Sequence, residues 1–193
     1  MKNKVITISR QFGSGGRSIG KQVATQLEIP CYDQKLLEKI AAESGFTREF
    51  VQERGEYAPY GSLLANALSD RTAQGISPQD YLWTVQCKLI LQLAQQGPCV
   101  MVGRCADYIL RDAAECLRVF IHADLEQRAD RIVRLYGQTN ESPAKRLKDK
   151  DKRRAAYYRF YTDLEWGDAQ NYHLCLDSGV IGIDRCTEII TDL

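Results

Sequence analysis

Five short runs along the chain carry the apolar pattern of β-strands. Residues 4–9 (KVITIS) alternate and are rich in β-branched side chains. Residues 29–33 (IPCYD) form a short candidate strand behind a proline. Residues 98–103 (PCVMVG) and 117–123 (LRVFIHA) are continuous apolar runs, as in a parallel strand covered on both faces. Residues 172–178 (YHLCLDS) supply a fifth. Between these runs the periodicity is helical, over 16–28, 34–44, 78–96, 124–137, 141–163 and 182–192. The helix at 78–96 has a start signal in Ser77-Pro78-x-Asp80 and a stop signal in Gly97-Pro98.

Strands alternating with helices predict an α/β fold: one domain over 1–193, with a five-stranded parallel sheet and helices on both faces. The segment 45–77 breaks the pattern with Gly, Pro, Ser and weak periodicity. It reads as part of an excursion between the second and third strands, helical in places, and not as a second domain.

Composition narrows the possibilities. With 193 residues, 44% hydrophobic and 26% charged, the chain has material for one core. No apolar run approaches the roughly 18 residues of a membrane span. The apolar stretch within Met1 to Ser9 fits a first strand and is too short for a signal peptide. The seven cysteines are odd in number and show no C-x-x-C pair, so they read as reduced thiols of a cytoplasmic protein. His122 and His173 have no metal-ligand spacing to any Cys and read as structural.

The net charge of +1 excludes a uniformly basic nucleic-acid binder, yet it conceals a strong asymmetry. Residues 145–159 (KRLKDKDKRRAAYYR) hold eight Lys/Arg and two Asp, a local +6, which leaves the rest of the chain at 1 − 6 = −5. Such a run is usually a solvated helix face or a nucleic-acid patch. A basic lid segment over 141–166, closing on a polyphosphate, fits better here. The nearby aromatics Tyr157, Tyr158, Phe160, Tyr161 and Trp166 either pack that helix on the core or offer a base a stacking surface.

Chemistry concentrates in Gln11-Phe12-Gly13-Ser14-Gly15-Gly16-Arg17-Ser18, between the first strand and the first helix. Glycines let the backbone curl until its N–H groups converge at a helix N-terminus, an arrangement that favours phosphate. The spacing approximates G-x-x-x-x-G-K-S/T, with Gln11 for the first glycine, Arg17 for the lysine and Ser18 as the hydroxyl for Mg²⁺. Arg104 follows the third strand, at the sheet edge where ligands bind. Arg128 and Arg131 share a face of the helix after the fourth strand. Clustered arginine with little histidine suits phosphoryl transfer, which depends on positioned positive charge.

The stretches ISRQFGSGGRSIGK, CVMVGRCADYILRD, DKRRAAYYRFY and WGDAQNYHLCLDSGVIGI resemble the cytidylate kinase-like family, a branch of the P-loop nucleoside monophosphate kinases. The resemblance implies a P-loop three-layer fold and ATP with Mg²⁺ as cofactors. It implies phosphorylation of a nucleoside monophosphate, CMP or dCMP, with small-molecule partners only and neither nucleic acid nor membrane. By it, Gly13, Ser14, Gly15, Gly16, Arg17 and Ser18 hold the ATP phosphates, with Ser18 at the metal. Arg17, Arg128 and Arg154 are catalytic. Asp33, Arg104 and Asp151 serve the acceptor, and the stretch 34–77 is its helical excursion. The chain departs from the family pattern at Val102, where D-G-R-D has an acid, at Arg17, and after Asp33. A P-loop kinase for another small phosphate acceptor, and a nucleotide-binding regulatory protein with impaired catalysis, are the alternatives. The sequence leaves the oligomeric state open.

Overall fold

The computed structural model describes residues 4–57 and 77–193. Five strands, β1 (Lys4–Arg10), β2 (Cys31–Tyr32), β3 (Cys99–Val102), β4 (Glu115–His122) and β5 (Leu174–Asp177), form one parallel sheet in the order β2-β3-β1-β4-β5. β1 therefore lies between β3 and β4, with Ile6 opposite Val100 on one side and Leu117 on the other. The chain reverses its direction of strand addition around β1, and the crevice beyond the carboxyl ends of such strands is where ligands bind in open α/β sheets.

Period-two alternation divides the core between the faces. Ile6, Ile8, Val100 and Val102 pack with α1 (Gly16–Gln26) and α8 (Ile183–Thr191). Val5, Cys99 and Met101 pack on the other face with α2 (Gln34–Ser44), α3 (Arg48–Arg54) and α4 (Pro78–Gln96). Both faces of β3 are thus covered, which accounts for its unbroken apolar run. The short α5 (Ala106–Ile109), α6 (Leu125–Tyr136) and α7 (Pro143–Thr162) complete the fold, with a 3-10 turn at Ala169–Asn171 before β5.

The strands and long helices fall where the apolar pattern places them, and β4 begins two residues earlier, at Glu115. Ser77 caps α4 as its sequence predicts, accepting from the Asp80 N–H at 3.1 Å. Two helices have no periodic signal. α3 spans only seven residues and α5 four, too short to establish a period. Much of the segment 45–77 lies outside the described residues. Among the described residues, no helix is long and apolar enough to cross a membrane.

α7 changes character along its length. Its first half carries the exposed Lys145, Lys148 and Lys152, whereas Arg154, Tyr157, Tyr158 and Thr162 in its second half are buried. Tyr161 stacks on Trp83 with centroids 4.2 Å apart, and the Tyr158 hydroxyl donates to the buried Asp107 at 2.7 Å. Tyr157, Tyr158, Tyr161 and Trp166 thus pack the segment onto the body, whereas Phe160 is exposed. His173 is structural, its Nδ1 accepting from the Arg118 N–H at 3.2 Å.

Candidate phosphate-binding cleft

The residues after β1 bend into the crevice. Gly13 and Gly15 hold φ of +80° and +85°, in the left-handed region, and Gly15 is the N-cap of α1. This is the curl that turns successive N–H groups inward at a helix start. The turn is braced from behind. Ser14 is fully buried, its Oγ donating to the Gln11 carbonyl at 2.9 Å while its own carbonyl accepts from the Ser178 hydroxyl at 2.5 Å. Ser18 is exposed on the first turn of α1 and lines the cleft.

The cleft in front of the turn has a volume of about 340 Å³. Its floor is built by Arg10 at the end of β1, Arg104 just after β3, and Arg154 from α7, all three buried. Glu56, just past α3, lies among them. Its carboxylate pairs with both terminal nitrogens of Arg10, Nη2–Oε2 at 2.9 Å, and with Arg154 Nη2 at 3.5 Å. Arg154 also donates to the Tyr57 hydroxyl at 2.7 Å and to the Arg10 carbonyl at 3.2 Å. Burial works against the charge on Glu56, but Arg10 and Arg154 outweigh it and hold its pKa far below the carboxylate range. Burial pulls the Arg104 pKa down, with Glu56 opposing. The Arg104 guanidinium has Gln86 Oε1 as a distant partner at 3.5 Å and no carboxylate partner among the described residues. Gly103 adopts φ +72°, and a Cβ there would strike the Glu56 carboxylate and the Arg10 guanidinium.

The mouth is different. Arg17 points sideways to Asp33, with Nε and Nη2 each 2.7 Å from Oδ2. Two sequence-predicted site residues, one from each side of the cleft, therefore neutralise each other. Arg131 donates to the Gly13 carbonyl at 3.0 Å, which sets its guanidinium against the glycine turn. Lys150 lies 4.9 Å from the Phe12 ring centroid and 5.2 Å from that of Tyr57, and Phe12 stacks on Tyr136.

Arg128 and Asp151 meet each other at 2.5 Å, and both grip the glycine turn from its outer side. Arg128 donates to the Phe12 carbonyl at 3.2 Å, and the Phe12 N–H donates to Asp151 at 2.7 Å. Neither lines the cleft; Arg131, one turn along α6, does. Val102 is buried in the core at the end of β3, so no carboxylate stands at that position. Among the described residues no group of three or more His, Cys, Asp or Glu side chains could hold a metal ion. Sequence reasoning missed Arg10, Glu56 and Tyr57. The one local clue was Arg10 at the carboxyl end of a buried strand.

The sequence profile of the cytidylate kinase-like family matches residues 5–180. The chain belongs to the cytidylate kinase-like family. It is similar to a cytidylate kinase of Methanothrix thermoacetophila, 24% identical over 176 residues that cover 91% of this chain and 88% of that protein. Among solved structures it is similar to an uncharacterized protein from Eubacterium ventriosum, with a TM-score of 0.74, 27% identity, and 97% and 96% of the two chains covered. It shares its fold with the Acinetobacter baumannii shikimate kinase solved with shikimate, with a TM-score of 0.54, 15% identity, and 98% and 92% covered. A P-loop kinase fold and membership of this family make the chain a nucleotide or small-molecule kinase. The Gly-Ser-Gly-Gly turn of this chain stands in front of a floor of three buried arginines.

Proposed function

We propose that this protein transfers the γ-phosphoryl group of ATP to the phosphate of a nucleoside monophosphate, CMP or dCMP. The carrying observation is the floor of the cleft: three buried guanidiniums around one carboxylate, directly in front of the glycine turn. In this reading the N–H groups of Gly13 to Ser18 receive the ATP phosphates, and Arg131 adds its charge from α6. Arg104 and Arg154 hold the acceptor's phosphate and absorb charge in the transition state. Arg128 and Asp151 act by holding the turn in shape. The acceptor phosphate is already anionic, so no side chain needs to remove a proton from it. Mg²⁺ arriving with ATP would rest on the Ser18 hydroxyl and supply charge neutralisation between the phosphates.

A second reading has one observation in its favour. Arg17, at the P-loop lysine position, is committed to Asp33, and Val102 offers no carboxylate. A protein that binds nucleotide and responds to it without turnover fits those two departures. ATP consumption measured against a panel of monophosphates separates the readings. Consumption with CMP or dCMP supports the first. Consumption with a different phosphate acceptor keeps the kinase and corrects the substrate. A thermal shift with nucleotide and no consumption supports the second, the shift following RT ln(1 + [L]/Kd), about 2.7 kcal/mol at a hundredfold excess over Kd.

A further inference from the structure

Glu56 is a half-buried carboxylate on the cleft floor that the proposed chemistry leaves without a task. It is 12% exposed at its side chain. Both its oxygens are engaged: Oε1 by Arg10 and by the Arg104 N–H at 3.3 Å, Oε2 by Arg10 and Arg154. It therefore ties together the end of β1, the start of the turn after β3 and the middle of α7. Yet it does not exhaust the cations around it. Arg10, Arg104 and Arg154 carry three positive charges and Glu56 one negative, so the floor keeps 3 − 1 = +2. Among the described residues, the Nε atoms of Arg10 and Arg154 are buried without a partner, and the Arg104 guanidinium reaches only Gln86, at 3.5 Å. Buried donors left in that state point to an anionic ligand.

We infer that Glu56 is a positioning residue that sets both the shape and the charge of this seat, aiming its three guanidiniums at the acceptor's dianionic phosphate. The inference rests on the monophosphate-kinase reading and deepens it. A phosphate monoester carries nearly two negative charges at neutral pH, its second pKa being about 6. It matches a surplus of two, whereas a neutral hydroxyl acceptor would leave two buried cations uncompensated. Removing the carboxylate raises the surplus to three and frees the guanidiniums. Anions then bind more tightly but in less ordered poses, and the two consequences act in opposite directions on binding and turnover. Loss of a merely structural contact would weaken both or neither.

The test compares wild type, Glu56→Gln and Glu56→Asp. Calorimetry measures inorganic phosphate binding, and steady-state kinetics measures kcat with ATP and CMP. Glu56→Gln should bind phosphate at least about threefold more tightly, from the lost charge repulsion, while kcat falls at least about 30-fold, from lost orientation. Unchanged or weaker phosphate binding, or a smaller loss of kcat, overturns the role. If Glu56→Gln does not fold, as judged by circular dichroism, Glu56→Asp decides. It keeps the charge but shortens the clamp, so phosphate affinity should stay within about twofold of wild type while kcat falls at least about tenfold. Any other combination overturns the inference. The two layers fail separately. Wild-type turnover with shikimate, which offers hydroxyls, and with no monophosphate sinks the monophosphate reading. The phosphate-binding comparison needs no turnover and still reports on Glu56.

Discussion

The floor and the mouth of the cleft are both rich in arginine and lysine, but they use the charge differently. On the floor Arg10, Arg104 and Arg154 are between 5% and 7% exposed, and Glu56 with its neighbours fixes their directions. At the mouth the Arg17 side chain is 42% exposed, and Lys150 rests between aromatic rings. A buried charge interacts through a low effective dielectric and cannot turn to follow a ligand, so its position is its contribution. An exposed charge is screened and mobile, and it acts on approach. Counting cations would rank the mouth first, with Arg17, Arg131, Arg146 and Lys150 lining it against three arginines on the floor. Burial reverses that ranking.

The sharpest way to break the contrast is to remove a floor cation. Arg154→Ala should lower kcat by about 10³ or more, the scale of an arginine supplied to a phosphoryl-transfer site. It also strips Glu56 of a partner, so a thermal melt must accompany the kinetics. A variant that remains folded and turns over within a few-fold of wild type would show that floor and mouth do not differ in the way argued.

The floor should also dominate the acid limb of stability. Glu56 has a folded-state pKa well below its ordinary value of 4.5. Between the two values the unfolded chain binds more protons than the folded one. The contribution of Glu56 is therefore complete above about 4.5 and is lost as pH falls through the folded value. Urea midpoints measured from pH 6 downward should drop more steeply for wild type than for Glu56→Gln. Parallel curves would mean that the pair with Arg10 does not carry the effect.

Next in size is Gly103→Ala. A methyl at φ +72° meets the Glu56–Arg10 pair and forces one of them to move. A stability loss of about 2 kcal/mol follows from combined backbone strain and displacement of a buried ion pair, readable as a shifted urea midpoint at unchanged slope.

Much of this architecture was legible in the sequence, and the reason differs by part. The strands were readable because burial on both faces of a parallel sheet demands continuous apolar residues, as in Cys99-Val100-Met101-Val102. The glycine turn was readable because its residues are adjacent and its backbone needs are local. The floor was legible only in part: the resemblance named Arg104 and Arg154, but Arg10 at the end of β1 and Glu56 just past α3 stand far from both in sequence, and no spacing joins them. Arg128 and Arg131 show the same limit: three residues apart on one face, they are equivalent by pattern. Asp151 decides between them by drawing Arg128 behind the turn, which leaves Arg131 to face the cleft. The basic run misled in a related way. It read as one lid feature, whereas the helix divides it into exposed lysines, a cleft-lining pair in Arg146 and Lys150, and a buried Arg154.

That division gives the mildest prediction and the most informative about the mouth. Lys150→Ala removes a cation that lies over the Phe12 and Tyr57 rings without a carboxylate partner among the described residues. A cation–π contact at a partly exposed site is worth about 0.5–1 kcal/mol, so the fold should barely register the change. If the mouth acts by attraction, kcat should stay within about twofold of wild type while KM for ATP rises by less than about tenfold. Added salt should then erase the difference. At roughly 1 M ionic strength the screening length is about 3 Å, shorter than the distance from which the mouth must draw its ligand. Wild type and variant would converge there on the same KM. A kcat loss that persists at high salt would instead place Lys150 against the transferring group, making the mouth part of the same fixed charge array as the floor.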